Sequence, residues 1–239
     1  MSEVQYKRVL IKVSGEALAG EKKTGLDFDF ITRVAQAIKE CSAKGVEIGI
    51  VVGGGNFWRG VKDGGGKVER TRADYMGMLA TTMNALALAD VLQDVGVEAR
   101  VQTSIDMPRI AEPYAREKAV AHLRKGKVVI FACGTGNPFF STDTGAVLKA
   151  AEIGAEVILL AKNIDGVYGA DPAKVKDAKK FDSITYDEVL ERGLGVMDMA
   201  ATALAKENNI PVIVFAVKEP DNIIKVLCGE KIGSYVGVK

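Results

Sequence analysis

Histidine occurs once in these 239 residues, cysteine three times, and neither sign of charge prevails. His122 falls late in a helical stretch, just before Gly126 and away from every glycine loop, which suits a solvated or dipole-complementing role rather than catalysis. Cys41, Cys133 and Cys228 are far apart, odd in number and without metal-ligand spacing, so they read as reduced core thiols of a cytoplasmic protein. With 32 basic and 31 acidic residues the formal charge is +1, which leaves no general field to draw nucleic acid or an anionic membrane. Any anion site must be local. No apolar run of membrane-spanning length, signal peptide, repeat or low-complexity linker is visible. Two phosphate-binding signatures are missing as well. Gly66-Lys67 is followed by Val68 and does not complete a P-loop, and Gly134-x-Gly136 has Phe139 where a dinucleotide fingerprint needs glycine.

What is present is a rhythm. Apolar runs of strand length recur at Val9 to Val13, Val46 to Val52, Val97 to Val101, Lys127 to Ala132, Val157 to Ala161 and Ile210 to Val217. Most are apolar throughout, as strands covered on both faces are. Helical periodicity separates them: one helix opens at Asp27 or Asp29 and stops at Gly45, others cover Tyr75 to Val95, Tyr114 to Lys125 and Met197 to Asn208, and Thr185-Tyr186-Asp187-Glu188 is a capping box. The expected fold is a three-layer α/β/α sandwich on a mainly parallel sheet, in one domain spanning residues 1–239, with Ile210 to Val217 and Ile232 to Val236 as its closing strand pair. Ala17 to Gly25, Gly60 to Arg70 and Asp171 to Phe181 break the rhythm and read as surface loops or lids. The stripe Met76, Leu79, Ala80, Met83, Leu86, Ala87 and Asp90 reads as core or subunit contact.

Four strand ends carry candidate chemistry. Lys12 lies inside the apolar run before Ser14-Gly15, where an ammonium either snorkels past the sheet edge or meets a phosphate. Gly53-Gly54-Gly55 follow the next strand, with Arg59 beyond them; they make either a tight turn or a close approach to an oxyanion, which a guanidinium can reinforce. The run Gly134 to Asp143 hangs between a buried strand and a helix start, a setting that suits an anion, and its Thr135, Asn137, Ser141 and Thr142 are neutral groups able to read a base edge or ribose. Asp143 there is either a helix cap or a functional carboxylate. The fourth end, Lys162-Asn163-Ile164-Asp165-Gly166-Val167-Tyr168, runs into a turn at Asp171-Pro172, and is either scaffolding or a site edge.

Together these loops resemble the bacterial UMP kinases of the amino acid kinase superfamily over essentially the whole chain. The motifs are Lys12-Val13-Ser14-Gly15-Glu16-Ala17-Leu18, Gly53-Gly54-Gly55-Asn56-x-x-Arg59-Gly60, Asp74 to Thr81, Gly134 to Asp143, and Asp165-Gly166-Val167-Tyr168-x-Ala170-Asp171-Pro172. The resemblance implies Mg²⁺-dependent transfer of the γ-phosphoryl of ATP to UMP in pyrimidine nucleotide biosynthesis, a homohexamer, activation by GTP and inhibition by UTP. It implies ATP contacts at Lys12, Val13, Ser14, Gly15, Gly55, Arg59, Lys162, Asn163, Tyr168 and Asp171. It implies UMP contacts at Gly54, Asp74, Thr135, Gly136, Asn137, Pro138, Phe139, Phe140, Ser141 and Thr142, and a GTP-linked segment of Gly20, Glu21, Lys22, Lys23, Thr24 and Gly25. Many members carry a lysine two residues earlier in the fourth loop, where this chain has Leu160, so either Lys162 or Asn163 is the group that meets the transferring phosphate.

Lys12, Arg59 and Lys162 are the candidate charge stabilisers, and Asp143 and Asp165 either hold Mg²⁺ through water or orient Lys12; no residue is assigned as a direct metal ligand. Asp198 is a further carboxylate candidate or a helix cap. A kinase of the same superfamily acting on a carboxylate or carbamate would want cations in the Gly134 loop, which is neutral. A binding protein without turnover would not need both Lys12 and the Asp165 loop.

Overall fold

The structure is a computed structural model that describes residues 3–175 and 177–238, the side chains of residues 61 and 62 aside. Its strands are β1 (Arg8–Val13), β2 (Glu47–Val52), β3 (Ala99–Thr103), β4 (Glu112–Pro113), β5 (Val128–Ala132), β6 (Val157–Lys162), β7 (Val167–Tyr168), β8 (Lys180–Phe181), β9 (Ser183–Thr185), β10 (Val212–Ala216) and β11 (Ser234–Gly237). Nine of them form one sheet in the order β4-β3-β5-β2-β1-β6-β10-β11-β9, while β7 and β8 pair separately. Every neighbouring pair in the large sheet is parallel except β10 with β11. The expected parallel sheet is thus present, but the Ile232 to Val236 strand does not close it. The short strand β9 pairs alongside β11 and forms that edge of the sheet.

Strand alternation explains the layers. Val9, Ile11 and Val13 of β1 face one side with Ile48, Ile50 and Val52 of β2, and pack against α2 (Phe28–Ala43), α4 (Arg70–Asp94) and α9 (Asn222–Leu227). Leu10 faces the other side with Val129, Phe131, Ile158 and Leu160, under α5 (Arg116–Arg124), α6 (Thr142–Ile153), α7 (Tyr186–Glu191) and α8 (Met199–Glu207). Burying both faces of the strands is what removes the polar alternation from their sequences.

The helix ends follow local chemistry. Asp27, rather than Asp29, caps α2 by accepting from the N–H groups of Asp29 and Phe30. The Thr185–Glu188 capping box is formed in both directions. α4 begins at Arg70, before the expected Tyr75, because Glu69 caps it through Thr71 N–H. The segments expected as loops hold short helices: α1 (Gly15–Leu18), a 3₁₀ turn at Gly20–Lys22, and α3 (Gly60–Gly64). Within the charged stretch from Asp171 to Phe181, residue 176 lies outside the described residues.

α4 has the length and composition of a membrane-crossing helix, yet just over half of its apolar window is buried within the protein. Of the stripe on this helix, Ala80 is buried whereas Met76, Leu79, Met83 and Leu86 are exposed. The core reading therefore fails for those four. His122 lies 3.1 Å from Glu112, remote from the glycine loops, and Cys41 and Cys133 are buried free thiols.

Gly233 leads into β11 at φ 80°, and a Cβ there would sit 2.0 Å from the Val214 carbonyl oxygen of β10. Neither the backbone angle nor a backbone oxygen can yield cheaply. Gly233→Ala is expected to destabilise the protein by about 2 kcal/mol or more, read as a lowered urea midpoint with unchanged m-value.

Candidate active site

β1 and β6 lie side by side at the point where the strand order runs away in two directions, and ligands of open α/β sheets bind at the carboxyl ends of strands at such a point. All four candidate loops are at that edge. Lys12 shares the parity of Leu10, and Lys162 that of Ile158 and Leu160, so both lysines emerge on the face covered by α6. This parity also resolves the two-residue displacement from Leu160 to Lys162: the side chain keeps its face and moves one step toward the sheet edge. Asn163 has the opposite parity and lines a different cavity with Glu16, Glu21, Lys22 and Lys218.

α6 places Asp143 against the two cations. Its cap is Ser141, whose hydroxyl accepts from Thr144 N–H, so Asp143 is in the first turn and is not the cap. Lys12 Nζ lies 2.7 Å from Asp143 Oδ1, and Lys162 Nζ lies 3.9 Å from Oδ2. Both side chains of the closer pair are nearly buried, where a missing partner would leave a costly uncompensated charge. Lys162 also donates to the carbonyl of Val196. Burial lowers the pKa of Lys162 and the Lys12 charge adds to that, while Asp143 and Asp198 oppose it.

Asp198 is the cap of α8, as one reading expected, and it also accepts from the hydroxyls of Ser141 and Thr144. Burial acts to raise its pKa, but those hydrogen bonds and the backbone N–H of Ala201 outweigh it and hold the carboxyl below its ordinary value. Asp165 is turned elsewhere. It accepts from Tyr168 Oη at 2.8 Å and faces Lys180 at 3.3 Å.

Backbone contact builds the cradle between β1 and β2. A Cβ on Gly15 would come within 2.6 Å of Gly53 O, and one on Gly54 within 2.7 Å of Gly77 O. These glycines permit close packing of chain against chain. Gly53 N–H donates to Val13 O, and Ser14 leads into α1. Asn84, inside α4, donates to Gly53 O at 2.6 Å and exchanges hydrogen bonds with Asn56. Arg59 bonds Gly55 O and pairs with Glu16 at 2.8 Å. Asn84, Glu16 and Thr144 were not singled out from the sequence; an asparagine amid the alanines and leucines of α4 was the available signal for the first.

On one side of the lysines, a cleft of about 480 Å³ is lined by Lys162, Tyr168, Gly169, Asp171 and the Gly193 to Val196 turn. On the other, a pocket of about 380 Å³ gathers Gly54, Gly55, Arg59, Asp74, Thr135, Asn137, Phe140, Ser141 and Thr142. Each is large enough for part of a nucleotide. Gly136 instead packs on Ser104, and Phe139 is exposed beneath the guanidinium of Arg70, 5.3 Å from its ring centroid. The Gly20 to Gly25 segment lies beside the start of α2, with Lys22, Lys23 and Thr24 exposed. Among the described residues no group of three or more His, Cys, Asp or Glu side chains gathers to hold a metal. One carboxylate between two ammoniums fits a cation that arrives on a nucleotide and keeps its waters, not a protein-built cage.

Residues 7–216 match the amino acid kinase family. The chain belongs to that family. Within it, the crystal structure of UMP kinase from Bacillus anthracis is 40% identical over 97% of this chain and 96% of that one, with a TM-score of 0.93. The UMP kinase of Ureaplasma parvum is 36% identical over 98% of this chain and 99% of its own, with a TM-score of 0.91. Uridylate kinase from Archaeoglobus fulgidus is 28% identical over 96% and 99%, with a TM-score of 0.73. These likenesses bear out the resemblance of this amino acid kinase to the bacterial UMP kinases.

Because the folded state holds the Lys162 proton less readily than the unfolded chain, this side chain costs stability at neutral pH, and the cost fades as the pH climbs toward its ordinary value of 10.5. Asp143 supports the proton. Asp143→Asn is expected to move the Lys162 titration midpoint, followed by heteronuclear NMR of the ammonium, to lower pH; an unmoved or raised midpoint would separate the two groups.

Proposed function

We propose that this chain phosphorylates UMP with the γ-phosphoryl group of ATP, giving UDP and ADP. The observation that carries the reading is the Lys12–Asp143–Lys162 cluster between a cleft on the Tyr168 side and a pocket that gathers hydroxyls and amides beside a paired Arg59 and Asp74. ATP is assigned to the first, with Lys12, Gly15, Gly55 and Arg59 along its phosphates and Tyr168 and Asp171 beside its adenosine. UMP is assigned to the second. The charged groups of that pocket, Arg59 and Asp74, are each paired, with Glu16 and Arg70, so hydroxyls and amides are what it offers, and these suit a nucleotide better than a carboxylate acceptor.

In phosphoryl transfer the protein positions the reactants and stabilises charge on the moving group. The acceptor phosphate is already an anionic nucleophile, so no general base is needed. Lys12 and Lys162, with Arg59 and the N–H groups of Gly54 and Gly55, are assigned to the charge that builds on the transferring oxygens. Asp143 keeps the two ammoniums apart and ordered, and Asp198 steadies the start of α6 through Ser141 and Thr144. Mg²⁺ carried by ATP would neutralise phosphate charge, with Asp143 reaching its water shell.

The similarity to the UMP kinases of Bacillus anthracis and Ureaplasma parvum supports UMP as the acceptor. We further assign the chain to cytoplasmic pyrimidine nucleotide synthesis, as one domain in a homohexamer, with GTP activating near Gly20 to Gly25 and UTP inhibiting. The exposed apolar stripe on α4 supports self-association.

A coupled assay with ATP, Mg²⁺ and each nucleoside monophosphate tests the reading: UMP-selective ADP release is expected, and no release with any monophosphate defeats it. Lys12→Ala should lower kcat by about 10²- to 10³-fold with little change in UMP binding. An unchanged kcat would remove Lys12 from the mechanism.

A further inference from the structure

Two non-glycine residues in the β5–α6 loop have left-handed backbone, Cys133 at φ 65° and Phe139 at φ 71°. Such angles are unfavourable for side chains with a Cβ and persist only where the surroundings hold them. Both are held by the same helix. Cys133 N–H donates to Thr81 Oγ1 at 2.8 Å, and Phe139 N–H donates to Asp74 Oδ2 at 2.8 Å. Asp74 and Thr81 lie about two turns apart on α4 and so present one face of it.

The Thr81 end is the more constrained. The hydroxyl donates to Met78 O at 2.6 Å, which leaves its lone pairs for Cys133. Thr82 Oγ1 lies 3.3 Å from the Cys133 sulfur, and Cys133 has no exposed surface. Water cannot replace the Thr81 bond without opening the packing. Gly54 meets the same turn of α4, since a Cβ on it would lie 3.2 Å from Thr81 N. Thr81 itself lines the pocket assigned to the acceptor.

We propose that α4 acts as a template that forces the acceptor loop into its binding shape, and that Thr81 is a positioning residue for the acceptor through its hold on Cys133. The inference rests on the assignment of the Gly134 to Thr142 loop to UMP. With the hold released, Cys133 relaxes toward an ordinary backbone angle and the pocket loses its shape, while Lys12, Asp143 and Lys162 stay as they are. Glycine at 133 adopts the same angle without being held, so it removes the backbone strain that Thr81 restrains.

The test compares Thr81→Val, Thr81→Ser and Cys133→Gly, alone and combined, in the full-length enzyme. Thr81→Val is expected to raise KM for UMP about tenfold, leaving kcat and KM for ATP within about twofold, because the left-handed backbone at Cys133 loses its hold. Thr81→Ser restores the wild-type KM. In the Cys133→Gly background the Thr81→Val effect shrinks to less than about threefold, the non-additivity expected of directly coupled residues. Hydrogen exchange of the unliganded protein gives a readout independent of any substrate: amides 133–139 exchange about tenfold faster in Thr81→Val, and Thr81→Ser does not speed them. Unchanged exchange in Thr81→Val, equal defects in Ser and Val, or full additivity with Cys133→Gly would overturn the proposal. A wild-type enzyme that ignores UMP while Thr81→Val still loosens the loop would defeat the acceptor assignment and leave the template standing.

Discussion

Two ammonium groups and one carboxylate share the nearly buried end of an otherwise apolar sheet, and much of the architecture serves to make that arrangement tolerable. Lys12 and Lys162 reach the same point because β1 and β6 are adjacent, parallel and in register, with Lys12 opposite Leu160. Like charges so close in a poorly solvated site repel, and Asp143 is what allows them to coexist. Asp143 in turn is aimed by α6, whose first turn is pinned by Ser141 and tied through Asp198 to the start of α8. A phosphate entering this site would replace repulsion with attraction, so the resting protein stores the electrostatic complementarity that its substrate uses.

The division of labour on either side of that cluster follows from polarity. The pocket proposed for the acceptor is walled by threonine, asparagine and serine, with its charged groups already engaged: Asp74 by Arg70 and the Phe139 N–H, Arg59 by Glu16. Neutral walls discriminate through hydrogen-bond geometry, which suits a base and a sugar. The cationic work is concentrated where charge moves.

Much of this was legible in the sequence because the signals are local. Uninterrupted apolar runs announced strands buried on both faces, and the capping box at Thr185 and the glycines after each helix marked boundaries to within a few residues. Lys12 stood out as a charge inside an apolar strand. The rest depended on contacts between distant segments. Whether Asp143 capped a helix or faced a lysine could not be read from its own neighbourhood, since Ser141 was an equally good cap. Lys162 and Asn163 are adjacent in the chain, yet Lys162 ends β6 on the side of α6 while Asn163 lies in the bend beyond it and lines another cavity. Short strands such as β4 and β9 have too few residues to show a period, and exist because neighbouring strands offer them unpaired edges.

The amide pair formed by Asn56 and Asn84 joins parts of the chain that lie far apart: Asn56 also exchanges hydrogen bonds with the backbone of Gly25, and Asn84 holds Gly53. The cradle proposed for the phosphates therefore exists only after the segment before α2, the end of β2 and the middle of α4 have all docked. It is a product of completed folding, not of any local fragment. A nucleotide that binds there recognises the native state alone, and by mass action stabilises it against unfolding in proportion to the logarithm of its concentration above the dissociation constant.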